Sequence, residues 1–329
     1  MWFERLVGFN ESTADAVRSR IRVDGDRMIS RVNGRELGCG RLELPSLAEL
    51  RQRTDALVEA PVPSRLRETV GDAADLHRDP GNAGAVFQAA SQFNLLEMVS
   101  PEVEPEAGVD GYENDRTQGP ACAVACGAGT IYRNYFVDVD GRPGQTRSAQ
   151  LDTLADVGEL LVPGGPAPWT MRNGYALFDR VGLERVNDRL GAMSPGELDL
   201  VRAHLRVGVH HQVEVTSSAT GHLVTQVYCS ALPVAYSRQP VGRFEPLARL
   251  VLDGAYEATL RAAALNAART GNRTVYLTLV GGGVFGNEES WIIDAMERAF
   301  GTTADAGLDI VVVSHRRSNP AVTALAGRI

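Results

Sequence analysis

Three clusters of side chains in this sequence carry the means to do chemistry. The stretch LVGGGVFGNEES, residues 279–290, sets Gly281, Gly283 and Gly286 at the G-x-G-x-x-G spacing, with Gly282 inside it. Such glycines let backbone N–H groups approach an anion, and a helix N-terminus just beyond adds partial positive charge. They would equally serve a tight turn that packs a helix on a strand. Val284 and Phe285 offer core contacts or, for the ring, an aromatic face against a sugar, and Asn287 and Glu288 stand where the next helical pattern begins. The second cluster, YENDRTQ at 112–118, gathers seven hydrogen-bonding side chains ahead of a small-residue helix. Glu113 and Asp115 are its candidate catalytic carboxylates, and Arg116, Thr117 and Gln118 its candidate ligand contacts, since polar groups at a helix N-terminus bind an anion or position a water. The third, SQFNLLE at 91–97, offers Gln92 as a ligand contact, Asn94 as an amide that orients sugar hydroxyls, and Glu97 as a further carboxylate. A helix cap for Asn94 and a solvated position for Glu97 are the ordinary alternatives.

Other chemistries drop out. All 33 basic residues are arginines, a usage that fits a GC-rich bacterial genome. Without lysine there is neither a Walker A phosphate loop nor a pyridoxal Schiff base. The G-x-S-x-G elbow is absent. His210 and His211 are neighbours in a strand pattern, so they point to opposite faces and cannot share a metal. Cys122 and Cys126 share a helix face at most, with no second ligand pair to complete a zinc site. No metal and no cofactor is expected.

The elements that must position these clusters read as follows. Residues 21–43 alternate around Asp24-Gly25 and Asn33-Gly34, which predicts an antiparallel meander, then a helix capped near Ser46 with Glu49 three residues on. Residues 82–92 give a short apolar strand and a polar loop, and Gly119-Pro120 marks a helix start. Residues 141–167, punctuated by GRPGQ and VPGGPAP, read as an exposed excursion around one short helix. Two strands joined by SSATG follow, then a long helix from about Pro246 to Arg269, strand TVYLTLV, the glycine loop, helix ESWIIDAMERAF and strand LDIVVVSH. Alternating helix and near-continuously apolar strand implies a covered, mostly parallel sheet. The expected division is residues 1–75, meander and helix, packed on an α/β domain at 76–329 with an insertion around 141–207.

Net charge of -8 and a pI near 5.4 argue against an extended nucleic-acid footprint. The N-terminus lacks the apolar core of a signal peptide, and no run is long enough to span a bilayer, so the expectation is a cytoplasmic protein with no membrane partner. With 44% hydrophobic residues, the chain has ample material for a packed core.

A dinucleotide-binding domain places its glycine turn after the first strand. Here only 43 residues follow Gly286, room for about one helix and one strand, so that reading fails on position. Instead, residues 246–290, with the long helix, the strand and a loop ending glycine, aromatic, glycine, resemble the macro domains, which bind ADP-ribose and in several branches hydrolyse it from its attachment. VTQVYCSALPVAY is similar to that family's central strand, and GAVFQAASQFNLLE to its strand and asparagine-bearing loop. The family's usual N-A-A-N stands here as Gln88-Ala89-Ala90-Ser91, and its compact first loop is replaced by the long segment 97–123. The poly(ADP-ribose) glycohydrolase branch carries its triple glycine and Gln-Glu-Glu in the first loop, whereas Gly281-Gly282-Gly283 and Asn287-Glu288-Glu289 lie in the second. The resemblance implies a macro-domain-like three-layer α/β sandwich with a mostly parallel mixed sheet, plus the N-terminal meander. It implies an ADP-ribosyl hydrolase acting on a modified protein, nucleic-acid base or small molecule, or a reader that binds ADP-ribose without cleaving it. The glycine loop and the helix beginning near Glu288 would hold the diphosphate, Asn94 the distal ribose, and Glu97, Glu113, Asp115 or Glu288 would direct water at the anomeric carbon.

Overall fold

Strict alternation is clearest in residues 86–90: Val86 and Gln88 face one side of a sheet, Phe87 and Ala89 the other. The same alternation recurs in 310–313 and 275–277, which is why these short apolar runs are strands covered on both faces. The computed structural model describes residues 1–57 and 60–329.

In chain order, α1 (Trp2–Val7) and α2 (Ala14–Arg20) lead into a meander of β1 (Ile21–Asp24), β2 (Arg27–Ser30) and β3 (Glu36–Gly38). Its turns fall at Gly25 (φ 61°) and Gly34 (φ 71°), the left-handed positions that glycine tolerates. Next come β4 (Arg41–Glu43), α3 (Leu47–Asp55), β5 (Arg65–Val70), α4 (Ala73–Arg78) and β6 (Val86–Ala90). The Ser46 side chain accepts from Glu49 N while Glu49 caps Ser46 N in return, the reciprocal pair expected from sequence. A loop with two 3-10 turns reaches α5 (Gln118–Ala125) and α6 (Gly127–Tyr135). Then follow the hairpin β7–β8 (Asp138–Val139, Arg142–Pro143), α7 (Ala155–Leu161), the hairpin β9–β10 (Thr170–Arg172, Tyr175–Leu177), α8 (Arg180–Gly191) and α9 (Pro195–Ala203). The chain closes with β11 (Gly208–Glu214), β12 (Leu223–Cys229), α10 (Glu245–Thr270), β13 (Thr274–Leu277), α11 (Glu289–Thr302), β14 (Asp309–Ser314) and α12 (Pro320–Ala326).

Seven strands form one mixed sheet in the order β4-β11-β12-β6-β13-β14-β5. β12, β6, β13, β14 and β5 run parallel, and β11 runs against its neighbours. One face is covered by α10, α11 and the helices between 155 and 203; the other by α4, α5 and α6. The meander packs with α1, α2 and α6 in its own apolar cluster.

Two expectations are revised by these facts. β4 and β5 lie within the first 75 residues yet form the two opposite edges of the large sheet, so a boundary at 75 cuts through a single set of hydrogen-bonded strands. Residues 141–167 are only partly an exposed excursion: Gly141, Pro143, Pro163, Gly164 and Pro166 are exposed, but Leu154, Val157 and Leu161 between them are buried in the main core. Among the described residues, no helix is long and apolar enough to cross a membrane.

Candidate functional site

Chain direction decides where a ligand can sit. β6 leads to a helix on one face of the sheet (α5) and its neighbour β13 to a helix on the other (α11), which leaves a crevice at their carboxyl ends. The segments following β5, β6, β12, β13 and β14 all open into that crevice, a cavity of about 890 Å³.

One wall is the glycine loop. Gly281 takes φ 80° and Gly286 φ 70°, and Asn287 locks the turn: its N–H donates to Gly281 O at 2.9 Å and its Nδ2 to Leu232 O at 2.8 Å. Val280, Gly282 and Gly286 spend their N–H groups inside the loop. Among the described residues the N–H groups of Gly281, Gly283, Val284 and Phe285 have no acceptor, and these four residues line the cavity. This is the arrangement of consecutive donors that receives an anion. Phe285 packs with Tyr175 and Tyr236, ring centroids 5.4 and 5.8 Å away, as an aromatic corner.

The facing wall is the N-terminus of α5. Thr117 caps it without a side-chain bond, and Asp115 accepts from Thr117 N at 2.8 Å. Gln118 reaches back to β6, accepting from Ala90 N and donating to Gln88 O, both at 2.9 Å, so its amide docks the helix on the strand. Gly119 is required for closeness: a Cβ there would overlap both the Ala90 carbonyl and Glu97 Oε2.

Glu97 lies between the two walls. It is 3% exposed, lines the cavity, and its Oε1 has no hydrogen-bond partner. Burial pushes its carboxyl well above the usual range, with Asp115 adding like-charge repulsion and Arg133 pulling the other way. Burial therefore favours the protonated form of this side chain, a carboxylic acid able to donate a proton. The loop that carries it is held from all sides: Glu97 N–H donates to Tyr112 Oη at 2.9 Å, Met98 N–H to Gln92 Oε1 at 2.8 Å, and Leu95 takes the left-handed φ of 63°.

Of the residues singled out from sequence, Gln92, Glu97, Asp115, Arg116, Thr117, Gln118, Gly281, Gly283, Val284 and Phe285 are brought together around the cavity. Asn94 is not among its lining residues. It is fully buried, its Oδ1 accepting from Leu96 N and its Nδ2 donating to Gln150, because the tight turn at Leu95 aims it inward. Glu113 faces the N-terminal helix, accepting from Trp2 N at 2.9 Å and Arg5 at 3.2 Å. Gly282 sits over Ile292, and Gly286 over Ala235, behind the lining. Asn287 is the buried brace already described, and Glu288 is an exposed cap of α11 outside the cavity. Sequence reasoning missed Gly119, Tyr175 and Tyr236, and also the lining drawn from the ends of β5 and β14, among it Gly71, Asp72, His315 and Arg317. Gly119-Pro120 was a signal for Gly119; nothing local marks the others. Among the described residues no group of His, Cys, Asp or Glu is arranged to hold a metal ion, and the four cysteines are buried and free.

No protein-family model matches the chain, and no characterised protein matches its sequence. Among solved structures it is similar to a poly(ADP-ribose) glycohydrolase from Thermomonospora curvata, at 16% identity over 96% of each chain with a TM-score of 0.43. It is similar to that glycohydrolase bound to the inhibitor ADP-HPD, at 15% identity over 96% of each chain and a TM-score of 0.45. A poly(ADP-ribose) glycohydrolase from Deinococcus radiodurans in complex with ADP-ribose matches at 12% identity over 87% of this chain and 92% of that one, with a TM-score of 0.42.

Proposed function

We propose that this protein is an ADP-ribosyl hydrolase, which removes ADP-ribose from a modified protein, nucleic-acid base or small molecule. The observation that carries the reading is that one cavity holds both a row of unpaired backbone N–H groups and a buried carboxylic acid, Glu97. The N–H groups of Gly283, Val284 and Phe285 suit a diphosphate, and the corner of Tyr175, Tyr236 and Phe285 suits a flat ring. Cleavage at an anomeric carbon passes through an oxocarbenium-like state and needs a proton for the leaving group. Glu97 supplies that proton, and the Asp115 carboxyl in the same cavity stabilises the developing positive charge. A reader of ADP-ribose would gain nothing from an unpaired carboxyl buried beside an anionic ligand.

The test pairs binding with turnover. Calorimetry should show saturable ADP-ribose binding, weakened at least about tenfold by Gly283→Glu, which sets a like charge against the diphosphate. Gly283 is the right site because a Cβ there meets nothing within 4 Å. Asp115→Asn should slow hydrolysis of ester-, guanidine- or base-linked ADP-ribose while product affinity holds or rises. Equal binding by parent and Gly283→Glu, or no turnover of any substrate by the parent, would sink the proposal.

A further inference from the structure

The largest fully buried side chain in the protein is an arginine, Arg133 on α6. Its partners are all neutral: Nε donates to Leu95 O at 3.1 Å, one terminal nitrogen to Thr130 Oγ1 at 3.1 Å, and the other meets His210 Nδ1 at 3.3 Å. The guanidinium carbon stands 3.7 Å from the centroid of the Tyr228 ring. His210 is itself fully buried and held neutral, so it accepts from the arginine without repelling it as a second cation. Among the described residues no carboxylate stands within ion-pair distance of Arg133. A guanidinium cannot shed its proton in a protein, and a buried charge without a counter-ion costs several kcal/mol as an order of magnitude.

Two features say what this cost maintains. Arg133 grips the carbonyl of Leu95, a leucine in the left-handed region, where strain of roughly 1–3 kcal/mol persists only if the surroundings impose it. Two residues on, Glu97 is the buried acid on the cavity wall, and the cation acting on it is Arg133. The other titratable groups around this pair are His210, which burial keeps neutral, and Asp115, Tyr112, Tyr175, Tyr228, Cys122 and Cys126, none of them cationic.

We propose that Arg133 is a positioning residue for the reaction, which fixes the Leu95–Glu97 segment and serves as the counter-ion for the Glu97 carboxylate formed in the catalytic cycle. The inference rests on the hydrolase reading above. In the step it serves, the bond from the anomeric carbon to the leaving-group atom breaks with its electron pair going to that atom, which takes the Glu97 proton. Glu97 is then a buried carboxylate, in the field of a guanidinium that has no ion-pair partner among the described residues. Water adds to the anomeric carbon, and the proton it sheds restores the Glu97 acid. An arginine stored without a counter-ion thus offsets the charge that appears only after proton transfer, and it needs no reorganisation to do so.

The test uses two variants of the full chain and two readouts. Arg133→Gln removes the charge but keeps a donor for Leu95; Arg133→Lys keeps the charge and loses the fork. Infrared difference spectra against Glu97→Gln report the Glu97 carboxylic acid directly and need no substrate. In Arg133→Gln the Glu97 titration midpoint should rise by about one pH unit or more, since an opposite charge is removed. The alkaline limb of kcat should move with it, and kcat should fall about a hundredfold with KM within a few-fold. Arg133→Lys should keep the midpoint near that of the parent and recover part of kcat. An unchanged midpoint in a folded Arg133→Gln, or a fall in kcat with no movement of the limb, would overturn the proposal. Should Arg133→Gln fail to fold, the Lys variant decides: a midpoint raised by a full unit despite the retained charge refutes the counter-ion role. If the parent hydrolyses no ADP-ribosylated substrate, the hydrolase reading falls by itself, while the infrared titration still reads the coupling of the two residues.

Discussion

Gly119 is where a single methyl group should do the most damage. A Cβ built there overlaps the Ala90 carbonyl and Glu97 Oε2, and comes within 3.0 Å of Glu97 Cδ. Restoring ordinary van der Waals separation requires a displacement of roughly 1 Å. The Ala90 end cannot yield easily, because β6 is paired with β12 through Cys229, and Ser91 N–H donates to Cys229 O at 2.9 Å. The Glu97 carboxyl is the softer neighbour, since its Oε1 holds no hydrogen bond. Gly119→Ala should therefore push the acid off its line and lever α5 away from the strand. Overpacking of this kind costs about 1–3 kcal/mol, and at about 2 °C per kcal/mol for a chain of this size Tm should drop by about 2–6 °C. A misplacement near 1 Å in a reacting group costs on the order of a hundredfold in rate, while ADP-ribose affinity, which the proposed function assigns to the glycine loop, should change less than about tenfold. Gly111→Ala is the control, in the same loop with nothing within 4 Å of its Cβ and no positive φ; its stability should stay within about 0.5 kcal/mol of the parent. Thermal melts and single-turnover rates on an ADP-ribosylated substrate read both effects. If Gly119→Ala keeps the parent's Tm and rate, or behaves like Gly111→Ala, the packing account of this corner is wrong.

Two further outcomes follow from the same geometry. Because burial raises the Glu97 pKa, both folded and unfolded chains carry its proton in acid, but above about pH 4.3 the unfolded chain ionises first and the parent loses stability as pH rises towards the folded-state value; denaturation should show Glu97→Gln more stable than the parent at neutral pH, with the gap closing in acid. Glu113, turned towards Trp2 and Arg5, should be dispensable for chemistry: Glu113→Gln is expected to keep turnover within about twofold and to lose about 1 kcal/mol of stability, as for one hydrogen-bonded charge, and steady-state kinetics beside a thermal melt would check it.

The elements with strong local signals were legible in the sequence. The Ser46 and Glu49 capping pair, the Gly25 and Gly34 turns, the long α10 and the strand, glycine loop and helix after it each follow from a pattern contained in one continuous stretch of chain. What was not legible depends on pairing across the chain. β4 and β5 read as parts of an N-terminal unit because nothing in three or six residues says which sheet edge they will join. Tyr175 reaches the cavity from a hairpin 83 residues beyond Gln92 in sequence, and the tertiary contact that places it there has no local signature. Asn94 read as a ligand contact because an amide can orient sugar hydroxyls and its loop is similar to the asparagine-bearing loop of the macro domains. Next to it Leu95 takes the left-handed region, Asn94 is buried, and Glu97 stands on the wall instead.

The long stretch of chain between β6 and β11 makes physical sense once the bonds of residues 92–98 are followed. Within the loop Gln92 O accepts from Leu95 N–H and Leu96 O from Gln92 N–H, which leaves the carbonyls of Phe93, Asn94, Leu95 and Met98 to find donors elsewhere. Here the donors come from far along the chain. Thr153 bonds Phe93 O with both N–H and hydroxyl, Gln145 donates to Asn94 O at 2.9 Å, Arg133 takes Leu95 O, and Tyr175 donates to Met98 O at 2.6 Å. Asn94, Gln150 and Asn173 continue the bracing as a chain of side-chain amides that ends on Pro101 O. The segment from 145 to 175 therefore acts as a buttress whose inner surface is polar only where the loop needs a partner and apolar elsewhere, with Leu154, Val157 and Leu161 sunk in the core. A buried acid is useful only if its direction is fixed, and fixing it takes more donors than the strand and helix flanking the loop can supply. The segment that composition alone marked as a surface excursion is, in these terms, part of what keeps Glu97 on the cavity wall.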